Sequence, residues 1–118
     1  MRKLSHERLD VYGKAIQFLG EATRIVDLAP RGNAALVDQL RRASISIVLN
    51  IAEAAGRASK RDSARHFAIA RGSALECAGA LDAMTITRLI EKKEVSAGKE
   101  LLIDVVSMLT KLSAYPRE

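Results

Sequence analysis

The chain has 118 residues, of which 48% are hydrophobic, and it carries a net charge of +5 at neutral pH. This length fits one domain of ordinary size, residues 1–118, with a modest core. The single cysteine, Cys77, excludes an intramolecular disulfide and a multi-cysteine zinc site, which favours a cytoplasmic protein. Polar residues interrupt every long apolar run, and no apolar segment follows the basic N-terminus. We therefore expect neither a membrane span nor a signal peptide.

The first periodic segment covers about residues 8–28. Its apolar and small residues recur at spacings of three and four, which predicts one face of an amphipathic helix. The members of that face are Tyr12, Ile16, Leu19, Thr23 and Val26. Pro30 and Gly32 end the segment, and Asn33 stands where it can cap the next helix.

The second segment covers about residues 34–55, with Gly56 as a stop signal. Residues 44–48 alternate and contain β-branched side chains, which taken alone indicate a strand. A single strand among helical patterns would have no pairing partner, so we predict a helix.

This second helix is apolar on two sides. One stripe consists of Leu40, Ile47, Ile51 and Ala54. The other stripe consists of Ile45, Val48, Leu49 and Ala52. A four-helix bundle buries one stripe per helix, so the second stripe predicts a subunit interface. The open alternative is that this helix is the most buried helix of a monomer.

Two further helices complete the pattern. The third begins after Ser59, since Ser59 and Asp62 have the spacing of a capping box. Its inner face is predicted to contain Phe67, Ala70, Ala74, Ala78, Leu81 and Met84. A turn without Gly or Pro lies within residues 88–94, and a fourth helix then extends to about residue 112. Its apolar stripe is Leu102, Val105, Leu109 and Leu112. Four amphipathic segments with short connections predict an all-α, up-down four-helix bundle.

Residues 41–71 contain seven basic and two acidic residues, a net +5 that equals the charge of the whole chain. A basic segment on a neutral scaffold favours a negatively charged partner. The candidate phosphate-binding residues are Arg41, Arg42, Arg57, Lys60, Arg61 and Arg65. The open alternative is a solvated face paired internally with Glu53 and Asp62. Because few aromatic residues lie nearby, contact with the backbone of RNA or DNA is favoured over base-specific recognition.

Asn50 and Glu53 lie three residues apart on the apolar second helix and need polar partners. We expect a structural network in which Arg71 or Arg57 pairs with Glu53. No nucleophile–base pair or metal-ligand spacing occurs, and His6 and His66 are far apart in sequence. The sequence therefore predicts no enzyme, no metal and no cofactor.

The chain resembles the four-helix-bundle proteins encoded in intervening sequences of bacterial large-subunit ribosomal RNA genes. The resemblance rests on LDVY at 9–12, QLRRASISI at 39–47, NIAEAAGR at 50–57, ARGSALE at 70–76 and MLTKL at 108–112. It implies a bundle that assembles into a homo-oligomeric ring, with a pentamer expected, and no enzymatic activity. A related branch, the accessory variability protein of diversity-generating retroelements, binds nucleic acid and a reverse transcriptase. Where the family commonly has Trp, this chain has Tyr12.

Together these patterns predict a non-enzymatic oligomeric module that binds nucleic acid or a ribonucleoprotein through its basic surface. A reverse transcriptase is a second expected partner, by analogy with the related branch. The alternative is a structural oligomer with an acidic protein partner.

Overall fold

In the computed structural model, which describes residues 2–30 and 32–114, four helices form one bundle. A 3-10 turn, Ser5–Arg8, precedes them. The helices are α1 (Asp10–Leu28), α2 (Ala34–Ala55), α3 (Lys60–Ile86) and α4 (Lys92–Leu112). The described residues contain no strand, so the alternating residues 44–48 are helical as predicted.

The topology is up-down, as predicted from the short connections. Each helix packs against its neighbours in sequence and α1 closes on α4, whereas the backbones of the diagonal pairs stay apart within the described ranges. Two ion pairs, Lys14 with Asp104 and Arg24 with Glu94, show that α1 and α4 are antiparallel. The α2–α3 connection therefore lies at the same end as the start of α1 and the last turn of α4. We call this the α2–α3 end.

The core is built mainly from aliphatic side chains, as the scarcity of aromatic residues requires. The predicted inner stripe of α2 is fully buried, and the same holds for most of the predicted inner face of α3. The predicted face of α1 is wrong by one residue. The buried α1 residues are Val11, Ala15, Phe18, Ala22 and Ile25. The predicted face and the buried face both have helical spacing. The buried face contains two alanines, whose small side chains allow α1 to pack closely against its neighbours.

A glycine on α4 explains how Phe18 enters the core. A Cβ atom on Gly98 would lie 3.4 Å from Cε1 of Phe18 and 3.8 Å from side-chain atoms of Ile25 and Leu81. Gly98 is itself buried. The absence of a side chain at this position therefore makes room for the aromatic ring.

The helix ends match the predicted signals in part. Ser59 caps α3, since its Oγ accepts a hydrogen bond of 3.1 Å from the Asp62 amide. Asn33 occupies the N-cap of α2, but its side chain makes no cap bond. Gly56 follows α2 with a φ of −94°, an ordinary right-handed value. In the α3–α4 turn, Arg88 takes the left-handed φ of 62° that glycine usually supplies.

Within the described residues, every helix is too short or too polar to cross a bilayer.

Candidate nucleic-acid interface

The basic residues next to the α2–α3 connection lie together at one corner of the bundle. Arg57 follows the end of α2, and Lys60 and Arg61 form the first turn of α3. Arg65 is one turn further along α3 than Arg61, so both share a helix face. All four side chains are exposed. We call Arg57, Lys60, Arg61 and Arg65 the α2–α3 corner.

Two of the four cations have carboxylate partners. Arg57 pairs with Glu53 at 2.8 Å, and Arg65 lies 3.7 Å from Asp62. Exposed pairs of this kind contribute little free energy, so an arriving phosphate can replace the carboxylate. Within residues 2–30 and 32–114, no carboxylate lies within ion-pair distance of Lys60 or Arg61. The corner therefore presents two unneutralised charges and two weakly paired ones.

The predicted basic surface is not continuous, because Arg41 and Arg42 lie near the other end of α2. From Arg42 to Arg57 is fifteen residues, a distance of about 22 Å along a helix. Arg41 lies 3.6 Å from Asp38 in an exposed pair. Arg41 and Arg42 therefore lie outside this corner within one chain, since residues that are close in sequence separate along a straight helix.

Two cations that the sequence analysis missed lie at the α2–α3 end. Arg8 and Lys111 line one hollow together with Leu112, and Arg57 and Lys60 line a second hollow that also includes Leu112. Arg8 and Lys111 come from opposite ends of the chain, so their proximity has no local sequence signal. In the sequence, only the expected packing of α1 against α4 indicated that these two residues would be close.

The predicted network of Asn50, Glu53 and Arg71 does not form. Glu53 pairs with Arg57 on the surface, which was the second predicted option. Arg71 points towards α4, where its Nε donates to Oγ1 of Thr110 at 2.8 Å. Its position on the α4 side of α3 keeps it from reaching Glu53.

A different polar network joins α2 to α3. Asn50 donates from Nδ2 to the carbonyl oxygen of Ser46 at 3.0 Å and to its Oγ at 3.2 Å. The hydroxyls of Ser46 and Ser73 lie 2.8 Å apart across the two helices. Oδ1 of Asn50 lies 3.3 Å from Nδ1 of His66. The network satisfies polar groups in an otherwise apolar contact and fixes how α2 and α3 align.

The same network determines the tautomer of His66 and connects the His66 ring to the α2–α3 corner. Nη2 of Arg65 lies 3.2 Å from Nε2 of His66. A guanidinium can only donate, so Nε2 of His66 accepts, and the N–H at Nδ1 donates to Oδ1 of Asn50. His66 is buried, with 8% of its surface exposed. The ring therefore holds the guanidinium of Arg65 in place.

The outer stripe of α2 is divided between surface and core. Ile45 and Leu49 are 42% and 59% exposed, and Ala52 is half-buried. The assignment of Val48 to the interface is wrong, because it is 8% exposed and belongs to the core of its own bundle. On α3, Ile69 is also exposed. Ser46 contacts Ser73 and Asn50 contacts His66. Ile69, which lies between His66 and Ser73, is therefore at the same level along the bundle as Leu49.

A family model for the 23S rRNA-intervening sequence protein matches residues 7–111. The chain belongs to this family. The family resemblance predicted from the sequence motifs is thereby confirmed.

A crystal structure supports the fold of this family member. It is of a protein of unknown function from the S23 ribosomal protein family of Bacteroides thetaiotaomicron. The two structures superpose with a TM-score of 0.81 at 20% identity, over 89% of this chain and 99% of the other. At that identity the likeness concerns the fold. No curated protein matches the sequence.

Cys77 of this family member lies fully buried on α3. Burial, with a smaller effect from the neighbouring carboxylate of Glu76, raises the pKa of its thiol to about 12. The protonated thiol is a packing residue and a poor nucleophile. Among the residues that the structure describes, no group of three or more His, Cys, Asp or Glu side chains is placed to hold a metal ion.

Proposed function

We propose that this family member is a self-associating, non-enzymatic module that binds the phosphate backbone of nucleic acid through the α2–α3 corner. The observation that carries the proposal is the set of four exposed cations there, of which Lys60 and Arg61 pair with no carboxylate of the described residues. Cations that already have strong partners would have to give them up before binding. These two would not, so their full charge is available to phosphates.

The rigidity of the corner supports the proposal as well. The Ser59 cap fixes the first turn of α3, and the contact with His66 holds Arg65. Side chains that are already oriented lose less conformational entropy on binding. Within residues 2–30 and 32–114, no exposed aromatic side chain lies at the corner to stack on bases, which favours backbone contact with little sequence preference. The description of the family, which refers to an intervening sequence of 23S rRNA, is in keeping with an RNA partner.

The test is a binding titration of a fluorescein-labelled RNA duplex by anisotropy at several salt concentrations. A subunit that contacts three or four phosphates gives a slope of log K against log salt of roughly −3. The variant Lys60→Glu/Arg61→Glu should lose binding. The matched control Lys92→Glu/Lys93→Glu carries the same charge change at the opposite end of the bundle and should bind like the parent. Arg65 is left unchanged because its guanidinium also contacts the buried His66.

Two results would reject this function. If the parent fails to bind RNA or DNA duplexes at low salt, the nucleic-acid proposal is wrong. If polyglutamate competes as well as RNA, the partner is an acidic protein, which was the alternative from the sequence. The partner is either an isolated nucleic acid or a ribonucleoprotein that contains a reverse transcriptase. A reverse-transcriptase gene beside this one would favour the ribonucleoprotein.

Self-association is the second part of the proposal, and it concerns the exposed stripe of α2. Ile45 and Leu49 expose large apolar side chains, with Ala52 and the open backbone of Gly56 on the same line. A second copy of the chain would cover this surface, and the family resemblance favours a ring, with a pentamer expected. A ring repeats the corner once per subunit, so that weak phosphate contacts add.

Light scattering tests the assembly with two neighbouring residues of α2. The parent should have a mass several times that of one chain. Leu49→Asp should reduce it to the mass of one chain while circular dichroism shows unchanged helicity, because Leu49 contributes little to its own core. Val48→Asp should unfold the bundle instead. A parent with the mass of a single chain at micromolar concentration would contradict self-association.

A further inference from the structure

A second basic site lies beside the α2–α3 corner, on the end surface of the bundle. Arg8, the last residue of the N-terminal turn, and Lys111, in the last turn of α4, line a hollow of about 370 Å³. Arg57 and Lys60 line the neighbouring hollow of about 260 Å³. Leu112 lines both and is 37% exposed, so it forms the ridge between them.

The charges around the first hollow are available for a ligand. Arg8 and Lys111 are both exposed, and among the described residues neither lies within ion-pair distance of a carboxylate. One acidic residue, Asp10, also lines this hollow. The carboxylate of Glu7 is engaged elsewhere, since it accepts a hydrogen bond from the Leu4 amide. The site therefore keeps a net positive charge.

The opposite end of the bundle differs. Glu94 there accepts from Arg24, Glu91 lies near Lys93, and Asp82 accepts from Lys99. Arg24, Lys93 and Lys99 are therefore paired at that end, whereas Arg88 and Lys92 are exposed and, among the described residues, lie beyond ion-pair distance of a carboxylate. Among the described residues, the α2–α3 end carries more unpaired cations than the opposite end, so it attracts a polyanion more strongly.

We propose that the nucleic acid crosses the end of the bundle, with its phosphates contacting Arg8 and Lys111 on one side of Leu112 and Lys60 and Arg61 on the other. This inference rests on the proposed function and extends it, since it assigns two phosphate contacts to residues far from the basic segment of the sequence. It also assigns an orientation: the strand lies across the helix axes at one end, where the helix ends present their cations. Binding along the side of α3 would leave Arg8 and Lys111 untouched.

The salt dependence of binding separates these two orientations. The variant Arg8→Gln/Lys111→Gln removes two positive charges from exposed positions, and circular dichroism should show a fold like that of the parent. With an RNA duplex as the probe, the slope of log K against log salt should become shallower by about 2, because two phosphate contacts are lost. The control Lys92→Gln/Lys93→Gln removes the same charge from the opposite end and should keep the parental slope.

The outcomes distinguish this inference from the function on which it rests. If Lys60→Glu/Arg61→Glu abolishes binding but Arg8→Gln/Lys111→Gln keeps the parental slope, the corner binds phosphates and the crossing orientation is wrong. If both double glutamine variants reduce the slope equally, the effect is one of overall charge, and the end-surface site is again wrong. A parent that binds no duplex overturns both proposals.

Discussion

The contact between α1 and α4 and the contact between α2 and α3 hold the same bundle together by different means. Between α1 and α4, Phe18 fills the space over Gly98, and ion pairs such as Lys14 with Asp104 lie at the rim. Between α2 and α3, small residues allow close approach, and Asn50, His66, Ser46 and Ser73 form hydrogen bonds inside the contact. The stability of the α1–α4 contact depends on how well side chains fill the space. The stability of the α2–α3 contact depends in addition on the orientation of hydrogen-bonding groups.

The largest effect is expected from removing the volume that fills the first contact. Phe18→Ala should lower the free energy of unfolding by about 3–5 kcal/mol, because the ring is fully buried and leaves a cavity. Urea denaturation at fixed protein concentration measures this. Ile103→Ala, at a position on α4 that is 62% exposed, is the control and should change stability by less than about 0.5 kcal/mol. Equal losses in the two variants would show that the α1–α4 contact is not set by volume.

An intermediate effect is expected from breaking the polar network of the second contact. Asn50→Ala leaves Nδ1 of His66 without its acceptor and should cost about 1–3 kcal/mol. The matched control is Gln39→Ala on the same helix, whose hydrogen bond to Glu76 is solvent-exposed, and it should cost much less. The same urea titration compares the two. A loss in Gln39→Ala as large as that in Asn50→Ala would mean that burial of the network adds no stability.

The smallest expected effect is an increase in the free energy of unfolding, from a substitution at an exposed position outside both contacts. A Cβ atom on Gly72 would meet nothing within 4 Å, so Gly72→Ala should raise the stability by about 0.5–1 kcal/mol through the better helix propensity of alanine. Gly98→Ala is the informative comparison, since the new methyl group would lie 3.4 Å from the ring of Phe18. It should gain less than Gly72→Ala or lose stability. Thermal melts followed by circular dichroism would resolve the difference.

The α2–α3 half of the molecule was largely predictable from sequence, because its helix signals are local. The bounds of α2, the Ser59 cap and the buried stripe of Leu40, Ile47 and Ile51 all follow from spacing and turn chemistry. The face of α1 was not predictable in the same way. Its two neighbouring stripes have the same spacing, and which one faces inward depends on the shapes that α4 presents, above all the notch at Gly98.

The candidate site followed the same division. Arg57, Lys60, Arg61 and Arg65 are close in sequence and in space, so the charge pattern located them. Arg42 lies apart from them because fifteen residues separate it from Arg57 along the helix. The partner of Asn50 could not be predicted, since an apolar helix pattern does not tell which of several polar side chains on α3 lies opposite. His66 carried no motif, and only the antiparallel alignment of α2 and α3 brings it there.

The uneven distribution of charge between the two ends also affects how fast a partner arrives. A bundle that carries more unpaired cations at one end than at the other has a permanent electric moment along its helix axes. The electric field of a polyanion rotates such a bundle during its approach. The α2–α3 end then faces the polyanion when the two surfaces meet. Association would then be rapid at low ionic strength and would slow steeply as salt shortens the Debye length to about 8 Å.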